Sequence, residues 1–127
     1  LADGVDQDAA PQVDLIGYSQ GALTAFAAAS RIAQSGVRLR RLVSVNGALP
    51  DPQDFAGDWP AGVDVSFVHG ADDVVIPVAS MHRSAATLRG CGAQVEEIVV
   101  PAAGHGLRAG VIAEAVGQLA PHRTDIA

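Results

Sequence analysis

Val13-Asp14-Leu15-Ile16-Gly17-Tyr18-Ser19-Gln20-Gly21-Ala22-Leu23-Thr24-Ala25-Phe26-Ala27-Ala28-Ala29-Ser30 reads in one pass as a strand, a sharp turn and a helix. The largely apolar run from Val13 to Ile16 suits a buried strand, and the alanine-rich run from Ala22 to Ser30 has the propensity of a helix. Between them lies Gly17-x-Ser19-x-Gly21. Glycines on either side leave room for neighbouring chain, so such a turn can strain its serine and hold the hydroxyl clear of the backbone. Glycine-serine turns arise by chance in a chain with 14 glycines. The strand before this one and the helix after it are what make Ser19 a candidate nucleophile.

Downstream, short β-branched runs alternate with longer segments bearing alanine and leucine, the pattern of βαβ units on a parallel sheet. The strands predicted are Val13 to Gly17, Arg41 to Asn46, Val63 to His69 and Val95 to Val100, each bounded by Gly, Pro, Asn or Asp. Helices are predicted over Gln20 to Ser35, Val78 to Gly90 and Leu107 to Leu119. Gly36 and Gly90 are expected as left-handed cap residues ending the first two, and Pro77 as the opening residue of the second, where a missing N–H costs nothing. Residues 1–12 read as an acidic, irregular lead-in, 13–120 as one partial domain and 121–127 as a tail.

Gly47 to Gly62, with three prolines and several aspartates, is too broken for a regular element and reads as a loop on a strand's carboxyl end. Ligands bind at that end of open α/β sheets, so Leu49, Phe55 and Trp59 are candidates to wall a substrate pocket. Phe55 and Trp59 serve equally well to pin a long loop onto the core.

The balance of 8 basic against 14 acidic residues, a net charge of −6, disfavours nucleic acid or an anionic membrane as partner. Although 49% of the chain is hydrophobic, its longest uncharged helical stretch, Gly21 to Ser30, is too short to span a bilayer. A soluble globular protein is expected. The lone Cys91 cannot form an internal disulfide, no paired Cys/His spacing suggests zinc, and no basic-then-apolar leader is in view; a cytoplasmic setting is the default. At 127 residues the chain is near half of what a complete α/β enzyme usually occupies.

A serine hydroxyl is a poor nucleophile unless a base takes its proton, so a functional elbow calls for a histidine and an orienting carboxylate further along. The third strand runs into His69-Gly70-Ala71-Asp72-Asp73-Val74-Val75-Ile76-Pro77 and the fourth into Pro101-Ala102-Ala103-Gly104-His105-Gly106, on the same rim as Ser19. Flanked by glycines, His105 can swing to meet a serine. His69 closes a buried strand and reads as structural, its ring bonding a neighbouring loop, whereas His82 in a helix and His122 in the tail read as surface residues. Asp72 and Asp73 compete as the acid, and one of the pair could instead cap the turn into the Pro77 helix. For a tetrahedral oxyanion the first donor would be the backbone N–H of Gln20, at a helix N-terminus. The second donor normally comes from a loop after an earlier strand, for which residues 1–12 leave no room.

These motifs resemble the carboxyl-terminal half of the phospholipase/carboxylesterase family of α/β-hydrolases, relatives of the acyl-protein thioesterases, from Val13 to about Ala120. Gly17-Tyr18-Ser19-Gln20-Gly21 matches its elbow and Gly47-Ala48-Leu49-Pro50 its short Leu-Pro segment. His69, Gly70, Asp73 and Pro77 fit its His-Gly-x-x-Asp-x-x-x-Pro signature, a register that picks Asp73 over Asp72, and Gly104-His105 fits the segment before its last helix. The resemblance implies a parallel sheet of about four strands flanked by helices. It implies hydrolysis of carboxylic esters or thioesters through an acyl-enzyme, without metal or organic cofactor. Ser19 would attack, His105 relay the proton and Asp73 hold the imidazole tautomer. The family's first strands and oxyanion loop have no counterpart. Two expectations result: a serine esterase acting on a small or medium acyl ester, or a fragment of one that is not catalytic by itself. A fragment would pair its open sheet edge with another copy or with a complementing N-terminal half.

Overall fold

The computed structural model describes residues 11–50 and 59–119. Among the described residues seven elements follow one another: β1 (Gln12–Tyr18), α1 (Gln20–Ala33), β2 (Arg38–Val45), β3 (Asp64–Gly70), α2 (Val78–Gly90), β4 (Val95–Val100) and α3 (Ala109–Gly117). The strands are all parallel and lie in sequence order, β1-β2-β3-β4.

The two inner strands are covered on both faces, so β3 after Asp64 and the second half of β2 are buried without a break. Leu42, Val65 and Phe67 pack with Phe26 of α1 and Met81 and Leu88 of α2. Val43, Val45 and Val68, one residue out of phase, pack with Val111 and Ala115 of α3 on the other side. Phe26 and Phe67 stack with ring centres 5.6 Å apart, and each is fully buried, worth about 1.5–3 kcal/mol apiece. The outer strands are less protected: Ile16 of β1 and Val99 of β4 stay 48% and 40% exposed. The β1–β2 register slips after Val13, leaving Arg40 outside the pairing, and its guanidinium grips the Asp14 carboxylate at 3.2 and 3.3 Å.

All four strands and three helices stand where the sequence predicts them, with shifts at their ends. β2 starts at Arg38 rather than Arg41 because Arg38 and Leu39 still pair with Gln12 and Val13. Gly90 is not the left-handed cap of α2. The helical bonding runs on through Cys91, and Gly92, at φ 91°, takes that role, with Ala93 N–H bonded to Leu88 O and Gly92 N–H to Arg89 O. Pro77 caps α2 from one residue earlier than expected. Leu107 and Arg108 precede α3, Arg108 being extended at its cap. Phe55 and His122 lie outside the described residues. Within the described residues, no helix is long and apolar enough to cross a membrane.

Parallel strands bring their carboxyl ends to one edge. Ser19 follows β1, Asn46 follows β2, and the loops after β3 and β4 carry Asp73 and His105.

Candidate active site

Ser19 sits between β1 and α1 at φ 54° and ψ −115°, a strained position for a residue with a side chain. Two features hold it there. Its N–H extends the sheet ladder to Val45 O at 2.9 Å, and the helix starts at once, with Ala22 N–H bonded to Ser19 O at 3.0 Å. Gly17 is required for the turn, because a Cβ there would collide with the backbone of Gly21 and Ala22. A serine heading a helix normally bonds back to a free N–H of the first turn, but Ser19 makes no such bond. Its Oγ lies instead 2.8 Å from Nε2 of His105.

On the far side of that ring, Nδ1 lies 2.8 Å from Oδ2 of Asp73. The other carboxylate oxygen accepts the N–H groups of Val75 and Ile76 at 2.9 and 2.8 Å. Asp73 therefore both meets the histidine and caps the turn toward Pro77, while Asp72 is exposed and only its backbone N–H is engaged, with Ala103 O. Burial pushes the Asp73 carboxyl up, but the hydrogen bonds from His105, Ile76 and Val75 outweigh it and leave it below its ordinary value. An ionised carboxylate only accepts, so Nδ1 of His105 carries the hydrogen toward Asp73, and in the neutral form of the ring Nε2 is then the acceptor facing the Ser19 hydroxyl. Such a line can draw a proton off the serine.

His69 is fully buried at the end of β3, with Nε2 2.6 Å from Ile76 O and 3.5 Å from the Asp73 carboxylate. Burial pulls its pKa down against the Ile76 carbonyl and Asp73, which favour the charged form. The neutral ring thus fastens the loop that carries Asp73.

Two residues at this rim carry no expectation from the sequence. Asn46 is fully buried; its amide donates to His105 O at 2.8 Å and Gly104 O at 3.3 Å, and its carbonyl accepts Gly70 N–H at 2.8 Å. Tyr18 donates its hydroxyl to the same His105 O at 2.7 Å. The one sequence signal for Asn46 is its place before Gly47 at a strand end, since asparagine tolerates the left-handed φ of 49° found there. Gly70 has its own constraint: a Cβ would strike the Ala103 and Gly104 carbonyls, so the two loops cross in backbone contact.

A groove of ≈ 320 Å³ opens between the first turns of α1 and α2, with apolar residues such as Leu23, Leu49 and Ile76 on its walls beside the polar Ser80, Arg83 and Ser84. Leu49 thus lies at the rim, its N–H bonded to Ser84 Oγ. Trp59 does not. It packs on Phe26, donates Nε1–H to Val63 O at 2.8 Å, and lines a hollow beside Ala33 and Gln34 at the opposite end of α1 from Ser19. The indole pins its loop to the core. Gln20 heads α1, where the geometry of a helix start leaves its N–H without an intrahelical acceptor. Among the described residues, no group of three or more His, Cys, Asp or Glu could hold a metal ion.

Solved structures of similar fold include esterase PE8 (22% identity, TM-score 0.66, covering 82% of this chain and 47% of that one). TT1662 from Thermus thermophilus is 25% identical with a TM-score of 0.63, over 82% of this chain and 50% of that one. Zea mays acyl-protein thioesterase 2 is 22% identical with a TM-score of 0.66, over 81% and 52%. The chain spans about half the length of each of these structures. No curated protein matches it. Residues 4–118, a span that includes Ser19, Asp73 and His105, match the phospholipase/carboxylesterase family, and the chain belongs to that family.

Proposed function

We propose that this chain is a serine hydrolase of carboxylic esters, working through an acyl-enzyme on Ser19. The observation that carries the proposal is the continuous line from Ser19 Oγ to His105 Nε2, and from His105 Nδ1 to Asp73, at 2.8 Å in both steps. In the first half-reaction Ser19 Oγ bonds to the acyl carbon while His105 Nε2 takes its proton. The Gln20 N–H meets the developing oxyanion, and His105 returns the proton to the leaving alcohol or thiol as the C–O or C–S bond breaks. Water then repeats the sequence on the acyl-enzyme, with His105 again as base, and frees the acid. Asp73 keeps the hydrogen on Nδ1 throughout. Leu49 and the groove beside it suit an apolar part of the substrate.

A second reading is favoured by one observation. The chain spans about half the length of the matched structures, and among the described residues nothing pairs with the outer edge of β1. On that reading the site works only once further strands, with a second oxyanion donor, are added along β1.

Turnover of a chromogenic short-chain ester by the chain and by Ser19→Ala tests the proposal. The serine variant is expected to lose turnover while its circular dichroism stays unchanged. Residual turnover in the variant would rule out Ser19 as the nucleophile.

A further inference from the structure

His105 lies in a loop whose own backbone chemistry does little to fix it. Glycines flank it, and Ala102 three residues earlier is at φ 57°, a conformation costly for a residue with a Cβ. Yet a base misplaced by about 1 Å can cost about a hundredfold in rate. The loop's main anchor near the ring is the His105 carbonyl, which accepts the Asn46 amide at 2.8 Å and the Tyr18 hydroxyl at 2.7 Å.

Asn46 does more than bind that carbonyl. Its amide N–H groups reach Gly104 O and His105 O, its carbonyl takes Gly70 N–H, and its own N–H bonds Val68 O. A fully buried side chain with both its ends engaged thus ties the start of the acid loop to the base loop. The Asp73 carboxylate also spans the two loops, but from within the acid loop itself, whereas Asn46 does so from the end of a strand. Its anchorage is the rigid end of β2, next to the strand that delivers Ser19. Tyr18, the neighbour of Ser19, adds a second hold and lies with its ring 5.5 Å from the imidazole.

Resting on the Ser19–His105–Asp73 reading above, we propose that Asn46, seconded by Tyr18, is a positioning residue: a clasp between the acid and base loops that keeps the His105 ring in line between Asp73 and Ser19. The clasp acts through the backbone of His105, and neither residue needs to touch the substrate.

The test is a long-range nitrogen–proton NMR spectrum of the full chain with ¹⁵N-labelled histidine, which reports the ring nitrogen that carries the hydrogen. It is run on the wild type, Asn46→Asp and Tyr18→Phe, with circular dichroism to confirm folding. Asn46→Asp keeps an acceptor for Gly70 N–H but removes the donors to the base loop. The wild type is expected to show His105 fixed as the Nδ1–H tautomer. Asn46→Asp is expected to fold yet show an imidazole exchanging between tautomers, and to react with a fluorophosphonate probe about ten- to a hundredfold more slowly. A folded Asn46→Asp with the wild-type His105 signal and the wild-type labelling rate would overturn the clasp alone. A wild-type ring that already exchanges would overturn the triad reading, and the clasp with it. Should Asn46→Asp fail to fold, Tyr18→Phe decides by the same tautomer signal.

Discussion

Asp73 shows how much one side chain settles at this rim. One oxygen meets His105 and the other takes two backbone N–H groups of its own loop, so the carboxylate is oriented from both sides. Ser19 and His105 were candidates from their own glycine-flanked motifs, whereas Asp73 was separated from Asp72 only by the register of the family resemblance. Asn46 was not legible, since its partner His105 is 59 residues away and only the parallel pairing of β2, β3 and β4 makes them neighbours. Trp59 misled for a related reason. An aromatic residue in a long loop fits a pocket wall or a core plug equally well, and only its contact with Phe26 decides. His69 brings a pH dependence of stability. Its folded pKa is lowered, so the unfolded chain takes up a proton first as pH falls below 6.5, and stability drops with it. Asp73, also lowered, adds a further loss once pH falls below its ordinary 3.8. The melting temperature should therefore decline from about pH 6.5 downward, and His69→Gln should flatten the first part of that decline. An equally steep decline in the variant would remove His69 as its cause.

The junction of β1 and α1 was the most legible element, and the structure separates its two glycines. A Cβ on Gly17 would run into the backbone of Gly21 and Ala22, whereas a Cβ on Gly21, exposed in the first turn of α1, meets nothing within 4 Å. Gly17→Ala should thus destabilise the fold by about 1–3 kcal/mol. Gly21→Ala should be neutral, or stabilising by about half a kcal/mol, as alanine replaces glycine in a helix. Chemical denaturation of both variants checks this, and equal losses at the two positions would contradict the packing described for the elbow. Element ends were less legible than elements. Gly90 and Gly92 are both plausible caps in sequence, and what chooses Gly92 is how far the hydrogen bonds of α2 run on through Cys91. β2 likewise begins early because its pairing with β1 rescues two residues that carry no apolar pattern of their own.

At the scale of the molecule, the fold is a parallel sheet with α1 and α2 on one face and α3 on the other, all four candidate loops emerging at one edge. The spacing of strands and helices made this architecture legible, because neighbouring parallel strands need long crossovers, and those from β1 to β2 and from β3 to β4 each hold a helix. Coverage of the sheet is uneven. On the side away from α1, Ile16 is half-exposed, and β1 is an edge strand among the described residues. The phospholipase/carboxylesterase family accounts for residues 4–118, and the matched structures are about twice as long as the chain. Whether the site is chemically complete within these residues is therefore the central question. Labelling the purified chain with a fluorophosphonate probe, read by intact mass and peptide mapping, answers it, because such a probe bonds to a serine activated by its base. A single adduct on Ser19 that is lost in His105→Ala is expected; a folded chain that takes up no probe would contradict an active site complete within these residues.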